Sequence, residues 1–404
     1  MLCRLEQLFI LYSLKRFRIG KDVLNNLQRC SRCGLPETHE TIFFSDSGIC
    51  SVCQNHDKKV AIDWVSRKKQ LDELIERYRG KDEYDCIVPA SFGKDSTFTL
   101  YYLLTHYPGL RPLVVTFDHN FFRPRHIEQQ NRMVKKLGVD WIRASLNWDI
   151  QKRVMKESLL RKSDFCWHCH TGIFSYPARV AIDKKIPLVI WGEPSAEYSG
   201  YYNYEDIEYV DARRFNRFVN LGISAEDMSG FIGCKERELS LLTYPSSEEL
   251  ARLEVVSVCL GSFIPWNTKK QSELITRELG WVGSQVEGVP PSHNFEKVEC
   301  LAQGCRDFLR FCKRSYGRTA SLISLDLRRG EISKEQAQII IDKYDGFKPH
   351  SLSFLLKLLD MSESELEVII QNHIITPHTF VPFEMYTTGQ ELPDEKEWFE
   401  YFPK

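Results

Sequence analysis

The chain has 404 residues, 43% hydrophobic and 27% charged, which is enough for two or three domains with cores of their own. Its 54 Lys and Arg against 55 Asp and Glu leave a net charge of −1, excluding a global basic field that would hold nucleic acid. Thirteen cysteines with no secretory signal imply a cytoplasmic protein whose paired cysteines serve metal or redox chemistry instead of disulfides.

Residues 1–28 read as an extension. The apolar run 8–14 precedes Lys15-Arg16-Phe17-Arg18 and is too short to span a bilayer. A surface amphipathic helix or a poorly ordered extension is expected there.

Residues 29–57 are rich in cysteine and turn formers. Cys30-Ser-Arg-Cys33 and Cys50-Ser-Val-Cys53 are two CxxC pairs, each offering two thiolates to one ion. Four thiolates in a closed tetrahedral set suit Zn²⁺ in a structural role. The segment has too little apolar mass to fold alone, so the ion would supply stability. Gly34 and Gly48 fit the knuckle turns. Residues 58–82 then read as a charged linker helix, with Trp64, Leu71, Leu74 and Ile75 on one stripe.

From 83 to 244 the pattern alternates. Apolar runs at 84–89, 112–117, 141–144 and 187–191 are separated by helical stretches at 97–107, 124–137, 149–162 and 172–185. This predicts a parallel sheet covered on both faces, with ligands at the carboxyl ends of its strands. Residues 91–96, Ser-Phe-Gly-Lys-Asp-Ser, follow the first run and precede a helix. Strand, small-residue loop and helix N-terminus together aim backbone N–H groups at an anion. G-x-x-x-x-G-K-[ST] is absent, so this is not a Walker A loop. Asp118 and His119 follow the second run, and Gly192-Glu193 the fourth, so they can share one cleft with Ser91.

Cys166-Trp-His-Cys169 falls between two helices. Three readings stay open for it: a second metal or iron–sulfur site completed by Cys234 or Cys259, a redox or sulfur-carrying pair, or an unreactive wall of a substrate pocket. From about 245 to 404 the sequence is mostly helical. Capping boxes are expected at Ser333/Gln336 and Ser362/Glu365, a helix near Ser246–Glu249, and irregular coil after 376.

The loop 91–96 resembles the SGGxDS loop of the PP-loop ATP pyrophosphatases, with Phe92 where a glycine is usual. The order of motifs is similar to that of the N-acetyl sugar amidotransferases of bacterial surface-polysaccharide biosynthesis, such as O-antigen and pseudaminic-acid pathways. It comprises the two CxxC pairs, Ser91–Ser96, Cys166-Trp-His-Cys169-His-Thr-Gly-Ile173, Trp191-Gly-Glu193, Glu197-Tyr-Ser-Gly200, Leu260-Gly-Ser-Phe-Ile-Pro-Trp266 and Gly317-Arg-Thr319. The resemblance runs from about 29 to about 346. It implies an adenine nucleotide alpha-hydrolase-like α/β domain, ATP with Mg²⁺, and conversion of an acetamido group on a nucleotide-linked sugar to acetamidino with release of AMP and pyrophosphate. It implies Ala90, Ser91, Phe92, Gly93, Lys94, Asp95, Ser96, Asp118 and Gly192 at ATP, and Lys94, Asp95 and Glu193 in catalysis. No glutaminase nucleophile is recognisable, so a partner glutaminase and a cyclase-like barrel would deliver ammonia. Two rivals are a tRNA-thiolating enzyme, disfavoured by the neutral charge, and a zinc-linked adaptor with a degenerate nucleotide site, disfavoured by the intact Lys94-Asp95-Ser96.

Overall fold

The structure is a computed structural model, and it describes residues 27–390 and 392 except 199. The expected N-terminal helix lies outside the described residues. The chain divides into two compact units. Among the described residues, one takes 27–53, 287–290 and 304–390. The other takes 54–286 and 291–303.

The larger unit is built on a five-stranded sheet in which every neighbouring pair is parallel. Its elements in chain order begin with helix α1 (Ser51–Lys58), which starts before the unit boundary, and α2 (Trp64–Tyr78). Then come β1 (Cys86–Pro89), α3 (Lys94–His106), β2 (Pro112–Asp118), α4 (Pro124–Leu137), β3 (Asp140–Ser145), α5 (Trp148–Lys162), α6 (Trp167–Lys184) and β4 (Leu188–Trp191). The sheet ends with β5 (Val256–Cys259), followed by α7 (Thr268–Leu279).

The strand order is β3-β2-β1-β4-β5. The chain therefore moves outward from β1 through β2 to β3, then crosses back to the other side of β1. The switch point lies between β1 and β4, where a ligand crevice forms at the strands' carboxyl ends. β1 and β2 are buried along their whole length, as expected of strands covered on both faces. Alternate residues serve opposite faces: Cys86, Val88, Leu188 and Ile190 join the core with Leu71 and Ile75 of α2, Leu100 and Leu103 of α3, Met133 of α4 and Ile275 of α7. Ile87, Leu113, Val115 and Val189 pack with Val180 and Ala181 of α6.

Two local expectations are corrected. Residues 256–259 are a strand, in a region read as helical. Four residues with flanking turns give too short a pattern for periodicity to separate strand from helix. Helix α6 begins at Trp167 and α3 at Lys94, each earlier than expected. Cys169 is thus helical, and Lys94 and Asp95 form a first helical turn.

The smaller unit carries α8 (Gln303–Arg314), whose first residue belongs to the larger unit, then α9 (Arg318–Arg329), α10 (Lys334–Tyr344), α11 (Ser351–Leu358) and α12 (Glu363–Gln371). The capping boxes at Ser333/Gln336 and Ser362/Glu365 both form, as does one at Ser246/Glu249 in the larger unit. No described helix is long and apolar enough to cross a membrane.

Candidate nucleotide site and four-cysteine centre

The loop after β1 is held by its carbonyls. Ala90 O accepts from the Thr116 hydroxyl. Ser91 O accepts from His126 Nε2 at 2.7 Å and Gln130 Nε2 at 3.0 Å. Phe92 O accepts from Trp281 Nε1 at 3.1 Å, and Gly93 O from Thr97 N at 3.0 Å. Each trans peptide sets the next residue's N–H opposite the carbonyl. Four tied carbonyls therefore fix the direction of the N–H groups of residues 91–94, and a pre-fixed dipole is what an oxyanion needs.

Phe92 has φ 60°, in the left-handed region where glycine is at ease. Its ring is fully buried in the core beside α3 and the sheet. Packing thus holds a bulky residue in a backbone state that the loop demands.

Lys94 is the electrostatic centre. It is only 5% exposed, and its ammonium lies 2.6 Å from Asp95 Oδ2 and 2.9 Å from Glu296 Oε1. Burial opposes its charge, but Asp95 and Glu296 first, then Tyr198 and Glu193, hold its pKa well above the ordinary lysine value. Asp95 keeps its other oxygen, Oδ1, buried with no hydrogen-bond partner among the described residues. Glu193, partly buried, is pushed up to about 8, by burial first and then by Asp95, against the pull of Lys94 and Lys297. Gly192 just before it admits no side chain: a Cβ would stand 2.6 Å from Thr99 Oγ1 and 3.1 Å from Asp95 O. The end of β4 thus presses on the first turn of α3.

Glu296, Lys297 and Glu299 were not found by sequence reasoning. They lie in the irregular segment 293–299, which comes back into the larger unit, and Arg123 N donates to Glu299 O at 3.0 Å. Glu299 also stands beside Gly93, 3.4 Å from where a Cβ would sit. Its only sequence signal was a Glu-Lys-Val-Glu run among turn residues.

Asp118 is buried and committed. Its Oδ2 accepts from Arg143 Nε at 2.9 Å, and its Oδ1 caps Asn120 N at 2.8 Å. His119 is buried too, accepts Phe121 N at its Nδ1 (3.2 Å), and is pushed down to about 4 by burial. Ser91 Oγ accepts from Gly93 N at 3.3 Å, and Ser96 Oγ donates to Gly93 O at 3.5 Å, so both hydroxyls brace the loop.

Cys166 takes the N-cap position of α6 without a side-chain cap and is buried, whereas Cys169 is partly exposed. Trp167 between them packs on Phe117 of β2, and His168 lies 6.5 Å ring to ring from Phe121. The segment thus follows the carboxyl end of β2. Among the described residues, one group of three or more His, Cys, Asp or Glu has ligand atoms close enough for a metal, and it does not include Cys166, Cys169, Cys234 or Cys259.

That group is Cys30, Cys33, Cys50 and Cys53, all buried, with their sulfurs within 4.8 Å of one another. Cys30 Sγ lies 3.8 Å from Cys53 Sγ, and Cys33 Sγ lies 3.7 Å from Cys50 Sγ. Disulfide sulfurs would be about 2 Å apart. A tetrahedron of roughly 2.3 Å metal–sulfur bonds has edges of about 3.8 Å, so the spacing fits a tetrahedral metal. Cys33 N and Cys50 N both donate to Cys30 Sγ, at 3.5 and 3.3 Å, as thiolate ligands require. Hydrogen bonds from Cys33, Cys50 and Cys53 push the Cys30 thiol down, whereas those of Cys53 with Cys30, Cys33 and Cys50 push Cys53 up. Gly34 and Gly48 have φ 75° and 74°, the left-handed turns of the two knuckles. Tyr316 and Ala320 cover the cluster from the same unit, supplying the apolar mass that 29–57 lacks.

No protein-family model and no curated protein matches the chain. Among solved structures it is similar to the U34-tRNA thiolase NcsA from Methanococcus maripaludis with its [4Fe-4S] cluster. Identity is 16%, over 77% of this chain and 88% of that one, at a TM-score of 0.32.

Proposed function

We propose that the chain is an ATP-using enzyme that releases AMP and pyrophosphate, with the nucleotide at the loop 90–96. The observation that supports this is Lys94: a buried cation on the first turn of α3, at the sheet's switch point, beside a loop whose carbonyls are all tied back. ATP would present an α-phosphorus to an acceptor oxygen. The backbone N–H groups of Ser91, Phe92 and Lys94 would meet phosphate oxygens, and Lys94 would counter the charge leaving with pyrophosphate. Asp95 Oδ1 and Glu296 are the carboxylates fitted to hold Mg²⁺, which keeps most of its own waters. Gly192 lets the strand end close on the loop. Asp118, through its Arg143 pair, would fix the loop after β2 where the nucleoside is expected.

The acceptor we propose is the acetamido group of a nucleotide-linked sugar. Transfer of AMP to the amide oxygen makes that oxygen a leaving group. Ammonia attacks the same carbon, the C–O bond breaks, and acetamidine and AMP result. Glu193, with a pKa near 8, is suited to take the proton from the attacking nitrogen. Ammonia would come from a partner glutaminase through a cyclase-like barrel. The second reading is tRNA thiolation, in which sulfur replaces ammonia. The adjacent Cys166 and half-exposed Cys169 beyond the end of β2 favour it, as a sulfur-carrying pair.

One experiment decides among them. The purified chain is incubated with ATP and ammonium plus an acetamido nucleotide sugar, or with ATP and sulfide plus tRNA, and products are weighed by mass spectrometry. AMP formation with a new amidine supports the first reading, and AMP with thiolated RNA the second. ADP as product overturns both. For the four-cysteine centre we propose structural zinc, since no ligand position is left open for chemistry.

A further inference from the structure

Arg328, in the last turn of α9 in the smaller unit, is a buried cation with no counter-ion among the described residues. It is only 4% exposed. Its Nη1 donates to Ser324 Oγ at 3.1 Å, and its Nε is buried with no partner among the described residues. No described carboxylate pairs with it. The acids of the unit are committed elsewhere. Asp307 pairs with Arg318 and Glu40 with Arg314, while Asp345 accepts from Gly317 N at 2.7 Å and Thr319 N at 3.1 Å. Asp326 lies about 200° round the helix from Arg328. An unpaired buried charge is costly, so a native fold that keeps one calls for an ion of opposite sign nearby.

What Arg328 faces is the four-cysteine centre. Ala320, Ser324 and Arg328 are each four residues apart and so share one stripe of α9. Ala320, at the head of that stripe, packs with Cys30, Cys33, Cys50 and Cys53. The first knuckle reaches back to the other end: Arg32, between Cys30 and Cys33, donates from Nη2 to Arg328 O at 3.0 Å. Hydrogen bonds with Cys30 and Cys50, then burial, push the Cys33 thiol up, while Cys53 and the charge of Arg328 pull it down. Arg29 and Arg32 keep access to water, whereas Arg328 does not. Four thiolates on one divalent ion leave two negative charges in a buried place. Their charge and that of the guanidinium are of opposite sign, and each lacks another buried partner of the right sign in this unit among the described residues.

We infer that Arg328 is the counter-ion of a divalent metal held by Cys30, Cys33, Cys50 and Cys53 as four thiolates. This rests on the metal reading of the four cysteines given above. Four neutral thiols, or two disulfides, would leave the guanidinium facing uncharged sulfur. Arg328 thereby acts on metal affinity without touching the metal, as outer-shell groups do.

The test uses the full chain, purified under reducing conditions, as wild type, Arg328→Met, Arg328→Gln and Arg328→Lys. Zinc affinity is measured by competition with a chromophoric chelator. The Met and Gln variants should hold zinc about tenfold less tightly or worse, and Lys, which keeps the charge, should restore most of the loss. Gln keeps a hydrogen-bonding head for Ser324 Oγ, so it stands in if Met fails to fold. Cobalt(II) in place of zinc adds a spectroscopic readout. A cation beside the sulfurs holds their electrons more tightly. The thiolate-to-cobalt charge-transfer band should therefore move to lower energy in the two neutral variants and stay in place in Arg328→Lys. Neutral variants that match the wild type in affinity and band position, or a Lys variant as weak as Met, would overturn the counter-ion alone. Wild type that takes up neither zinc nor cobalt would sink the metal reading itself, and the counter-ion with it.

Discussion

The Phe92 ring meets Trp141 edge-on, with centroids 5.6 Å apart and planes at 86°. Trp141 is itself fixed, its Nε1 donating to Thr116 Oγ1 at 2.8 Å, and Thr116 in turn holds the Ala90 carbonyl. The bulky residue in a loop where glycine is usual is therefore a core residue that anchors the loop to the sheet. Phe92→Gly relieves about 1 kcal/mol of left-handed strain but removes a buried ring worth about 3–5 kcal/mol. The variant should unfold at lower urea, while its turnover per folded molecule falls less than that of Lys94→Ala. A rise in the urea midpoint would refute this.

Lys94→Ala should cut turnover by about 10²-fold or more, the usual loss when a positioned charge is removed from a transition state. Because Asp95 and Glu296 lose their shared cation, the variant also leaves two carboxylates facing each other. Lys94→Ala/Glu296→Gln should therefore recover stability without recovering activity. Thermal melts and AMP release measure the two separately.

Glu193 should govern the rising limb of the pH profile. A carboxyl raised to about 8 by burial is mostly protonated at neutral pH and becomes a base only above that value. Turnover should thus rise with pH through about 8 in the wild type. Glu193→Gln should be slow and flat across the same range. A variant that keeps the rise would show that another group titrates.

Burial holds His119 near 4 and His168 lower, near 3, against about 6.5 when unfolded. The unfolded chain binds these protons first. The stability from keeping both rings neutral is therefore complete above about 6.5 and is lost as pH falls toward the folded values. His119→Asn keeps an acceptor for Phe121 N. Urea midpoints should fall less steeply from about pH 7 to about pH 4.5 in that variant than in the wild type.

One zinc per chain is expected at Cys30, Cys33, Cys50 and Cys53. Cys50→Ser should lose it and lower soluble yield, and a chelator should depress the melting temperature of the wild type. Metal analysis that finds no zinc in carefully purified protein would exclude the zinc assignment.

The sheet and the loop were legible because they obey local rules. Continuous apolar runs such as 112–117 mark strands buried on both faces, and Ser91–Ser96 follows another, 84–89. The four cysteines were legible because their spacing is local too. Glu296 and Glu299 were not, since their value comes from a return segment that no periodicity marks. Asp118 was found as a residue, but only the fold shows that Arg143 occupies it. The inward side of α4 stayed hidden for a similar reason. A helix with Arg125 and Arg132 reads as solvated until its buried face, His126, Gln129, Gln130 and Met133, shows which side it turns inward.

The return segment has a consequence for how this protein comes into being. Residues 54–286 include the whole sheet, the loop and α3, and so look like a sufficient nucleotide-binding module. Yet the chain leaves that unit at 287–290 before coming back with Glu296, Lys297 and Glu299. On the ribosome, a nascent chain halted earlier holds a lysine aimed at a low-dielectric interior with one of its two carboxylates still unmade. On the proposed reading, competence for nucleotide is therefore acquired late in synthesis, and a shortened chain that stops before 291 makes a sheet whose Lys94 lacks Glu296.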